Sequence, residues 1–176
     1  MQRTGGGYVL DRDSIGDLIL GNPPLIESYL SLDQQLQPNG FDLTLRDVAR
    51  LTSTGSMGAA PDQRTLPDSD KLEFGSDQWL HLDPGSYLIT FNEIVNLPLD
   101  LMTLGRTRSS LLRSGVSIHT GVGDAGYRGR YQALMVVHLP QGYRIQKGAR
   151  VTQLVFARLA RPVSQGYQGK FQGENL

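Results

Sequence analysis

The fold class is decided by the stretch Trp79-Leu80-His81-Leu82-Asp83-Pro84-Gly85-Ser86-Tyr87-Leu88-Ile89-Thr90-Phe91. It holds two short apolar runs, residues 79–82 and 86–91, on either side of an Asp-Pro-Gly turn. Runs of this length and composition, bounded by turn residues, are typical of β-strands. A third run, residues 94–97, follows almost at once. Closely spaced strands with Gly and Pro turns predict a mainly β fold, a sandwich or a barrel.

The same pattern continues outward from this stretch in both directions. A Pro-Asn-Gly turn at residues 38–40 leads into alternating apolar and polar residues up to residue 45, which predicts a strand. Further strands are predicted at residues 130–139 and 151–159. Residues 50–70 are rich in Ser, Thr, Gly, Pro and Asp, and they predict strand ends around a long loop.

The N-terminal region predicts one short helix. Asp11 or Asp13 can cap residues 14–20, and Gly21-Asn22-Pro23-Pro24 ends the helix, because Gly and Pro follow helix C-termini. Residues 1–7 predict a loose end.

Length and composition narrow the functional classes. A chain of 176 residues fits one domain, residues 1–176. The 17 basic and 17 acidic residues balance and form no basic block, so no binding of DNA or RNA is expected. The absence of cysteine excludes disulfides and the zinc site of cysteine-containing deaminases. No apolar run approaches the ~20 residues that span a bilayer, and no export leader is visible; a cytoplasmic protein without membrane contact is expected.

The clearest chemical pattern is the glycine-rich stretch Gly121-Val122-Gly123-Asp124-Ala125-Gly126-Tyr127-Arg128-Gly129. Glycines let a backbone approach a ligand and adopt positive φ, so Asp124 is expected at the tip of a hairpin. Between Asp100 and Glu174 it is the only Asp or Glu, which makes it the expected acid–base residue there.

A second pattern places Arg108 beside the hydroxyls of Ser109 and Ser110 at the predicted start of a short helix. A guanidinium fork and two hydroxyls suit phosphate oxygens. Taken alone, a capped helix with a surface arginine explains these residues equally well.

In combination, these stretches resemble the motifs of the dUTPase and dCTP deaminase family. Asn39-Gly40-Phe41-Asp42-Leu43 is similar to the first motif and Arg108-Ser109-Ser110-Leu111 to the second. The glycine-rich stretch resembles the third motif, and Gly148-Ala149-Arg150-Val151-Thr152-Gln153-Leu154 the fourth. The tail, residues 166–173, resembles the Tyr-Gln-Gly-containing tail of the deaminase-like branch. The resemblance extends from residue 8 to residue 174 in the family's order and spacing.

The resemblance implies a distorted jelly-roll β-barrel that assembles as a homotrimer, with three active sites between subunits. In such sites Asp124 is the catalytic residue, and Tyr127 packs under the deoxyribose of dUTP, although a strand tyrosine also suits a core. The remaining substrate-binding residues that the resemblance implies are Arg108, Ser109, Ser110, Arg113 and Gln153 of the second and fourth motifs, and Tyr167, Lys170 and Gln172 of the tail.

The resemblance also implies a flexible lid and a metal ion. Residues 165–176 are expected to close over the ligand, with a disordered terminus as the alternative. Magnesium bound to the phosphates is expected for hydrolysis, with Asp42 contacting it through a water; a strand or turn aspartate is the plainer interpretation of Asp42.

The resemblance leaves two chemistries open, dUTP hydrolysis and dCTP deamination. Deaminases of the family carry a proton-shuttling glutamate ten residues after the motif aspartate, and this chain has Leu134 there. A leucine cannot transfer a proton, so a dUTP diphosphatase that makes dUMP and pyrophosphate is the leading prediction. The alternatives are a dCTP deaminase or a bifunctional enzyme, and a trimer that binds nucleotide without catalysis.

Two departures from the family pattern stand out. Gly123 occupies a position where Ile or Val is usual, and Glu174 brings a negative charge near the expected phosphates. The histidines, His81, His119 and His138, are not spaced as a metal cluster, and each is expected to be an ordinary strand or turn residue.

Overall fold

The computed structural model describes residues 8–176, so the loose end predicted for residues 1–7 lies outside the described residues. The predicted N-terminal helix is confirmed as α1, which spans Arg12–Ile19. Asp11 is its cap, because the carboxylate accepts a hydrogen bond from the Ser14 backbone N–H at 2.8 Å. The helix buries Ile15 and Ile19 against the core.

The other helical segments are short: α2 (Leu32–Gln35), α3 (Ser109–Leu112) and a 3-10 turn at Pro61–Gln63. The strands of residues 8–176 are β1 (Ile26–Glu27), β2 (Leu36–Gln37), β3 (Gly40–Leu51), β4 (Ser56–Met57), β5 (Arg64–Thr65), β6 (Ser69–Leu72), β7 (Trp79–Leu82), β8 (Gly85–Phe91), β9 (Ile94–Asn96), β10 (Leu101–Thr107), β11 (Val116–His119), β12 (Val122–Gly123), β13 (Arg128–Gly129), β14 (Gln132–Val137), β15 (Tyr143–Gln146) and β16 (Arg150–Arg158).

The long strand β3 organises the main sheet, whose strand order is β11-β14-β8-β3-β16-β10-β12. Residues 41–44 of β3 pair with β16, whereas residues 45–50 pair with β8. Both ladders change register near this point, at Arg150/Thr152 and at Leu45/Asp47. Because bulges bend a strand and increase its twist, β3 turns a corner and joins two halves of one curled sheet.

The curl brings the two ends of the sheet together. The Thr107 hydroxyl of β10 donates to the Ile118 carbonyl of β11 at 2.7 Å and accepts from the Ile118 N–H at 2.8 Å. The Thr120 hydroxyl donates to the Gly105 carbonyl at 3.2 Å. The predicted mainly β fold is therefore confirmed as a sheet curled into a half-barrel.

The glycine-rich stretch bridges two sheets. Its first strand, β12, pairs with β10 in the main sheet, and its second, β13, pairs with β9 in a three-stranded sheet of order β1-β9-β13. The prediction of a hairpin tip at Asp124 was therefore wrong, because the two arms pair with different neighbours. A tight turn is nevertheless present, with the Tyr127 N–H donating to the Asp124 carbonyl at 3.1 Å and Gly126 at a φ of 83°.

Among the strands of four or more residues, those not predicted are β6, β10, β11 and β15. Their sequences mix Gly, Lys, Arg or Ser into the apolar pattern, and they are strands because a neighbouring strand pairs with them. The loop predicted for residues 50–70 contains the end of β3, the small ladder of β4 with β5, and the start of β6.

One hydrophobic core joins α1 to both sheets. Its largest buried side chains include Phe41, Tyr87, Phe91 and Phe156. Of the helices in residues 8–176, none has the length and apolar character needed to cross a membrane.

Candidate active site

A cavity of about 460 Å³ lies beside the glycine-rich turn. Asp124 and Tyr127 line it from the turn, and Leu134 lines it from β14. The Asp124 side chain is exposed, so its carboxylate is free to meet water and ligand. Leu134 thus lies in the same pocket as Asp124, as predicted, but Gln132 and Ala133 line this pocket too, so strand alternation is not the reason.

Tyr127 is buried, with 4% of its surface exposed, yet it forms part of the cavity wall. Its hydroxyl donates to Glu174 Oε1 at 2.9 Å, and its ring stacks on Tyr131 with 4.6 Å between centroids and 16° between planes. Burial, and next the Glu174 charge, raise the pKa of Tyr127, so the phenol stays protonated and donates.

The tail packs onto the turn of its own chain. The Tyr167 N–H donates to the Ala125 carbonyl at 2.8 Å, and the Gly173 N–H to the Arg128 carbonyl at 2.8 Å. Close approach is needed here, because a Cβ on Gly126 would lie 2.6 Å from the Gly166 Cα. Tail side chains thereby join the cavity wall, namely Tyr167, Phe171 and Glu174.

The Gln172 side chain bridges the tail to the turn. Its carbonyl oxygen accepts from the Arg128 N–H at 2.9 Å, and its amide donates to the Gly126 carbonyl at 2.9 Å. Gln172 thus already has two partners in the turn. Lys170 is exposed at the tail surface.

The second group of predicted residues forms around Asp42, whose side chain is only 2% exposed. Arg108 Nε lies 3.1 Å from Asp42 Oδ2, and Arg150 Nη1 lies 3.4 Å from the same oxygen. Burial has the largest effect and raises the pKa of Asp42 above its ordinary value, and the two guanidinium groups oppose this rise only in part. The carboxylate therefore fixes two cations that remain partly exposed.

The fourth motif lies directly beside the first. Gln153 pairs in register with Asp42 on one side and with Arg106 on the other. A Cβ on Gly40 would lie 2.4 Å from the Leu154 carbonyl oxygen and 2.8 Å from Gln153 Nε2, so only glycine fits between these strands. Ser109 and Ser110 are exposed at the start of α3, and Arg113 is exposed at its end.

Within one chain, the predicted site residues therefore form two separate groups. The cavity group contains Asp124, Tyr127 and Tyr167, and none of Arg108, Ser109, Ser110, Arg113 or Gln153 lines the cavity. The second group, the Asp42 group, contains Asp42, Arg108 and Arg150 together with Gln153 on the paired strand. The structure unites residues from distant parts of the sequence within each group, but it does not unite the two groups.

Sequence reasoning missed three residues of these groups. Glu174 was noted only as a departure, Arg150 was quoted only as part of a motif, and Tyr131 received no role. The position of Arg150 two residues after the turn glycine Gly148 offered a weak signal, but the contacts of Tyr131 and Glu174 depend on tertiary packing.

Two of the histidines converge on one hydroxyl. Ser117 Oγ lies 3.1 Å from His119 Nε2 and 2.9 Å from His138 Nε2. Across residues 8–176, no set of three His, Cys, Asp or Glu side chains is arranged to hold a metal ion.

Glu93 is a further buried carboxyl, fully enclosed at the corner of the sheet. It accepts from the Thr44 N–H at 2.9 Å, the Thr44 hydroxyl at 2.5 Å and the Gln35 amide at 2.7 Å. Burial raises the pKa of Glu93. Because these bonds tie α2, β3 and the β8–β9 turn together, Glu93 supports the strand that carries Asp42.

Comparison with known proteins identifies the family of this chain. The family model for dCTP deaminase-like proteins matches residues 9–159, and the chain belongs to that family. A probable deoxyuridine 5′-triphosphate nucleotidohydrolase from Methanococcoides burtonii is 42% identical over 168 residues, covering 96% of this chain and 99% of the relative. The protein of the same name from Archaeoglobus fulgidus is 43% identical over 168 residues, covering 96% and 98%.

A solved structure supports the fold. The 2′-deoxycytidine 5′-triphosphate deaminase from Agrobacterium tumefaciens superposes with a TM-score of 0.67 at 21% sequence identity. The match covers 89% of this chain and 49% of the deaminase, so this chain spans about half the length of that protein.

Proposed function

We propose that this protein is a dUTP diphosphatase, which cleaves dUTP at the α-phosphorus to give dUMP and pyrophosphate. The observation that carries the proposal is the exposed Asp124 carboxylate in a cavity where the facing strand presents Leu134. Phosphoanhydride hydrolysis needs one base and many positioning groups. Metal-free deamination needs a proton-transferring side chain beside the cytosine ring, and leucine has no titratable group. The names of the M. burtonii and A. fulgidus relatives support the same activity.

Asp124 has the central chemical role in this mechanism. Its carboxylate orients a water toward the α-phosphorus and accepts the proton as the water oxygen bonds to phosphorus. The bond from the α-phosphorus to the bridging oxygen breaks, and pyrophosphate leaves. Tyr127 packs against the deoxyribose and leaves no room for a 2′-hydroxyl.

The Asp42 group supplies the cations and hydrogen-bond donors that bind the substrate phosphates. Asp42 holds Arg108 in one orientation, so its free N–H groups are ready to bind phosphate oxygens without further ordering. Ser109, Ser110, Arg113 and Gln153 extend the same surface.

A homotrimer with active sites between subunits completes the enzyme. The separation of the Asp42 group from the cavity group within one chain supports this assembly. In a trimer, the Asp42 group of one subunit can face the Asp124 cavity of the next, and the site is incomplete without that partner.

Magnesium fits this site as an ion carried by the substrate. No ready-made metal cage is present in residues 8–176, and Asp42 already pairs with two arginines. Mg²⁺ in such sites keeps several waters and is held mainly by phosphates. Bound there, it would neutralise phosphate charge, with Asp42 contributing at most through a water, while Arg108 and Gln153 orient the chain.

The tail serves as a lid. Tyr167 and Phe171 already cover one side of the cavity, and Lys170 is exposed and free to reach a phosphate. Gln172 holds the closed tail to the turn. Because deoxynucleoside triphosphates are cytoplasmic metabolites, we place the enzyme in the cytoplasm.

Two other functions are less well supported. The match to the dCTP deaminase-like family model favours deamination, alone or in a bifunctional enzyme, but Leu134 opposes it. A nucleotide-binding trimer without catalysis would not need the exposed Asp124.

Product analysis tests the proposal. Purified protein is incubated with dUTP or dCTP, with and without Mg²⁺, and dUMP, pyrophosphate and ammonia are measured. We expect dUMP and pyrophosphate from dUTP with Mg²⁺ only. Asp124→Asn should lower this turnover by at least ~10²-fold, the lower end of a general-base contribution.

The matched control is Asp17→Asn, which removes another exposed carboxylate, on α1. Its turnover should equal that of the wild type. Ammonia from dCTP would favour the deaminase, and binding without products would favour the non-catalytic trimer.

A further inference from the structure

Tyr131 is a cavity residue that packs against Tyr127. Its ring stacks on Tyr127 almost in parallel, 4.6 Å between centroids, and it lines the same cavity. The Tyr167 ring also meets Tyr127, edge to face, with 5.8 Å between centroids. Tyr127 thus contacts one aromatic residue of the barrel and one of the tail.

The Tyr131 hydroxyl lies next to Gly123. A Cβ placed on Gly123 would lie 2.2 Å from the Tyr131 hydroxyl oxygen and 2.4 Å from Thr103 Cγ2. The φ of Gly123 is not positive, so its backbone does not require glycine. Gly123 is required because a larger side chain would clash with its neighbours, and the nearest of these is Tyr131.

Tyr131 therefore contacts both Tyr127 and Gly123, the residue before Asp124. Its ring supports Tyr127, and its hydroxyl end lies against the residue that immediately precedes Asp124. A rigid aromatic side chain with two torsions can fix two groups at little cost in conformational entropy.

We propose that Tyr131 is a positioning residue that sets the distance between the Tyr127 ring and the Asp124 carboxylate and thereby determines the selectivity for deoxyribose over ribose. The inference rests on the proposed dUTP hydrolysis. If Tyr127 excludes a 2′-hydroxyl by contact, the exclusion is only as strict as the support that prevents the ring from moving. Tyr131 supplies that support, and Gly123 makes the room for it.

The hydroxyl of Tyr131 itself contributes no hydrogen bond. It is buried and has no partner among the described residues. Burial, and next the charges of Asp124 and Glu174, raise the pKa of Tyr131, so the phenol stays neutral. The ring supports Tyr127, whereas the oxygen only fills the space beside Gly123.

The test compares Tyr131→Phe with Tyr131→Leu by measuring kcat and KM for dUTP and for UTP. Tyr131→Phe keeps the stacked ring and should keep the wild-type selectivity. Tyr131→Leu should lower the ratio of kcat/KM for dUTP over UTP by about tenfold or more, in the range of a lost contact in a substrate pocket. Tyr143→Leu, which removes another tyrosine packed against the core, is the matched control and should leave the ratio unchanged.

A second measurement keeps the inference testable if Tyr131→Leu is unstable. Gly123→Ala should lower the melting temperature, and Tyr131→Phe should reduce that loss, because it deletes the oxygen nearest the new methyl group. Rescue will be partial, since Thr103 also lies close. Equal losses in both backgrounds would contradict the contact between the two residues.

The outcomes separate this inference from the proposed function. If the wild type does not cleave dUTP, the proposed function fails, and selectivity is then measured as the thermal shift with dUTP against UTP. If the wild type cleaves dUTP and Tyr131→Leu keeps its selectivity, the inference is wrong and the proposed function stands.

Discussion

Arg108 and Asp42 form an ion pair in which Nε lies 3.1 Å from a carboxylate that is almost completely buried. Arg150 joins the same oxygen at 3.4 Å. A buried carboxylate is tolerated when cations and hydrogen bonds compensate its desolvation. The two arginines gain a fixed position in return, and their guanidinium groups remain partly exposed.

Arg108→Lys should therefore weaken catalysis although the charge is kept. An ammonium cannot contact Asp42 and bind phosphate oxygens through a planar fork at the same time. We expect kcat/KM for dUTP to fall by about tenfold or more, in line with losing one charge-assisted hydrogen bond. The exposed Arg161, changed to Lys, is the control. Unchanged kinetics for Arg108→Lys would remove Arg108 from the site.

Leu134 should exclude deamination. We expect no ammonia from dCTP with the wild type, since no carboxyl group faces the cavity at this strand position. Leu134→Glu should lose stability and show at most a trace of deamination, because apolar surroundings disfavour the charged carboxylate. The measurement is an ammonia assay with dCTP. Rapid release of ammonia by the wild type without magnesium would contradict the assignment.

Deletion of residues 165–176 should uncouple activity from folding. The tail covers the cavity with Tyr167 and Phe171, so we expect turnover of dUTP to fall sharply. Its apolar packing on the core is limited to these two half-buried rings, and the melting temperature should drop by only a few degrees, about 2–4 °C per kcal/mol lost. Deletion of residue 176 alone is the control. Full activity of the longer deletion would show that the tail is not a lid.

Docking of the tail should depend on pH through Glu174. Burial raises the pKa of Glu174 above its ordinary value of 4.5, and the Tyr127 hydrogen bond only partly opposes this. The docked tail therefore favours the protonated carboxyl. This contribution is complete below pH 4.5 and is lost as pH rises through the raised pKa.

The measurement is the protection of tail amides from hydrogen exchange, corrected for the intrinsic pH dependence of exchange. Protection should decrease as pH rises in the wild type. Glu174→Gln should abolish this dependence, because an amide accepts the Tyr127 bond without titrating, whereas Glu73→Gln, an exposed change, should not. Identical profiles for wild type and Glu174→Gln would exclude Glu174 as the titrating group.

Glu93→Ala should destabilise the fold strongly. The change leaves the Thr44 N–H, the Thr44 hydroxyl and the Gln35 amide without the acceptor that they share. The expected cost is about 3 kcal/mol or more, the size found when a buried polar network loses one partner. Chemical denaturation measures it, with Glu73→Ala as the exposed control. A loss below 1 kcal/mol would mean that water replaces the carboxylate.

Local sequence was sufficient where neighbouring residues set the outcome. The cap of α1 and the turns around residues 83–85 and 38–40 follow from short-range chemistry. The solitary Asp124 was likewise visible without coordinates.

Tertiary structure decided the features that depend on partners far along the chain. The glycine-rich stretch predicted a hairpin, but β12 and β13 pair with different sheets, because strand pairing is settled by burial and register across the whole fold. Asp42 meets Arg108 and Arg150, Tyr131 fills the space that Gly123 leaves, and Glu174 reaches Tyr127. These contacts join residues that have no periodic relation in sequence, since the packing of side chains in three dimensions is what brings them together.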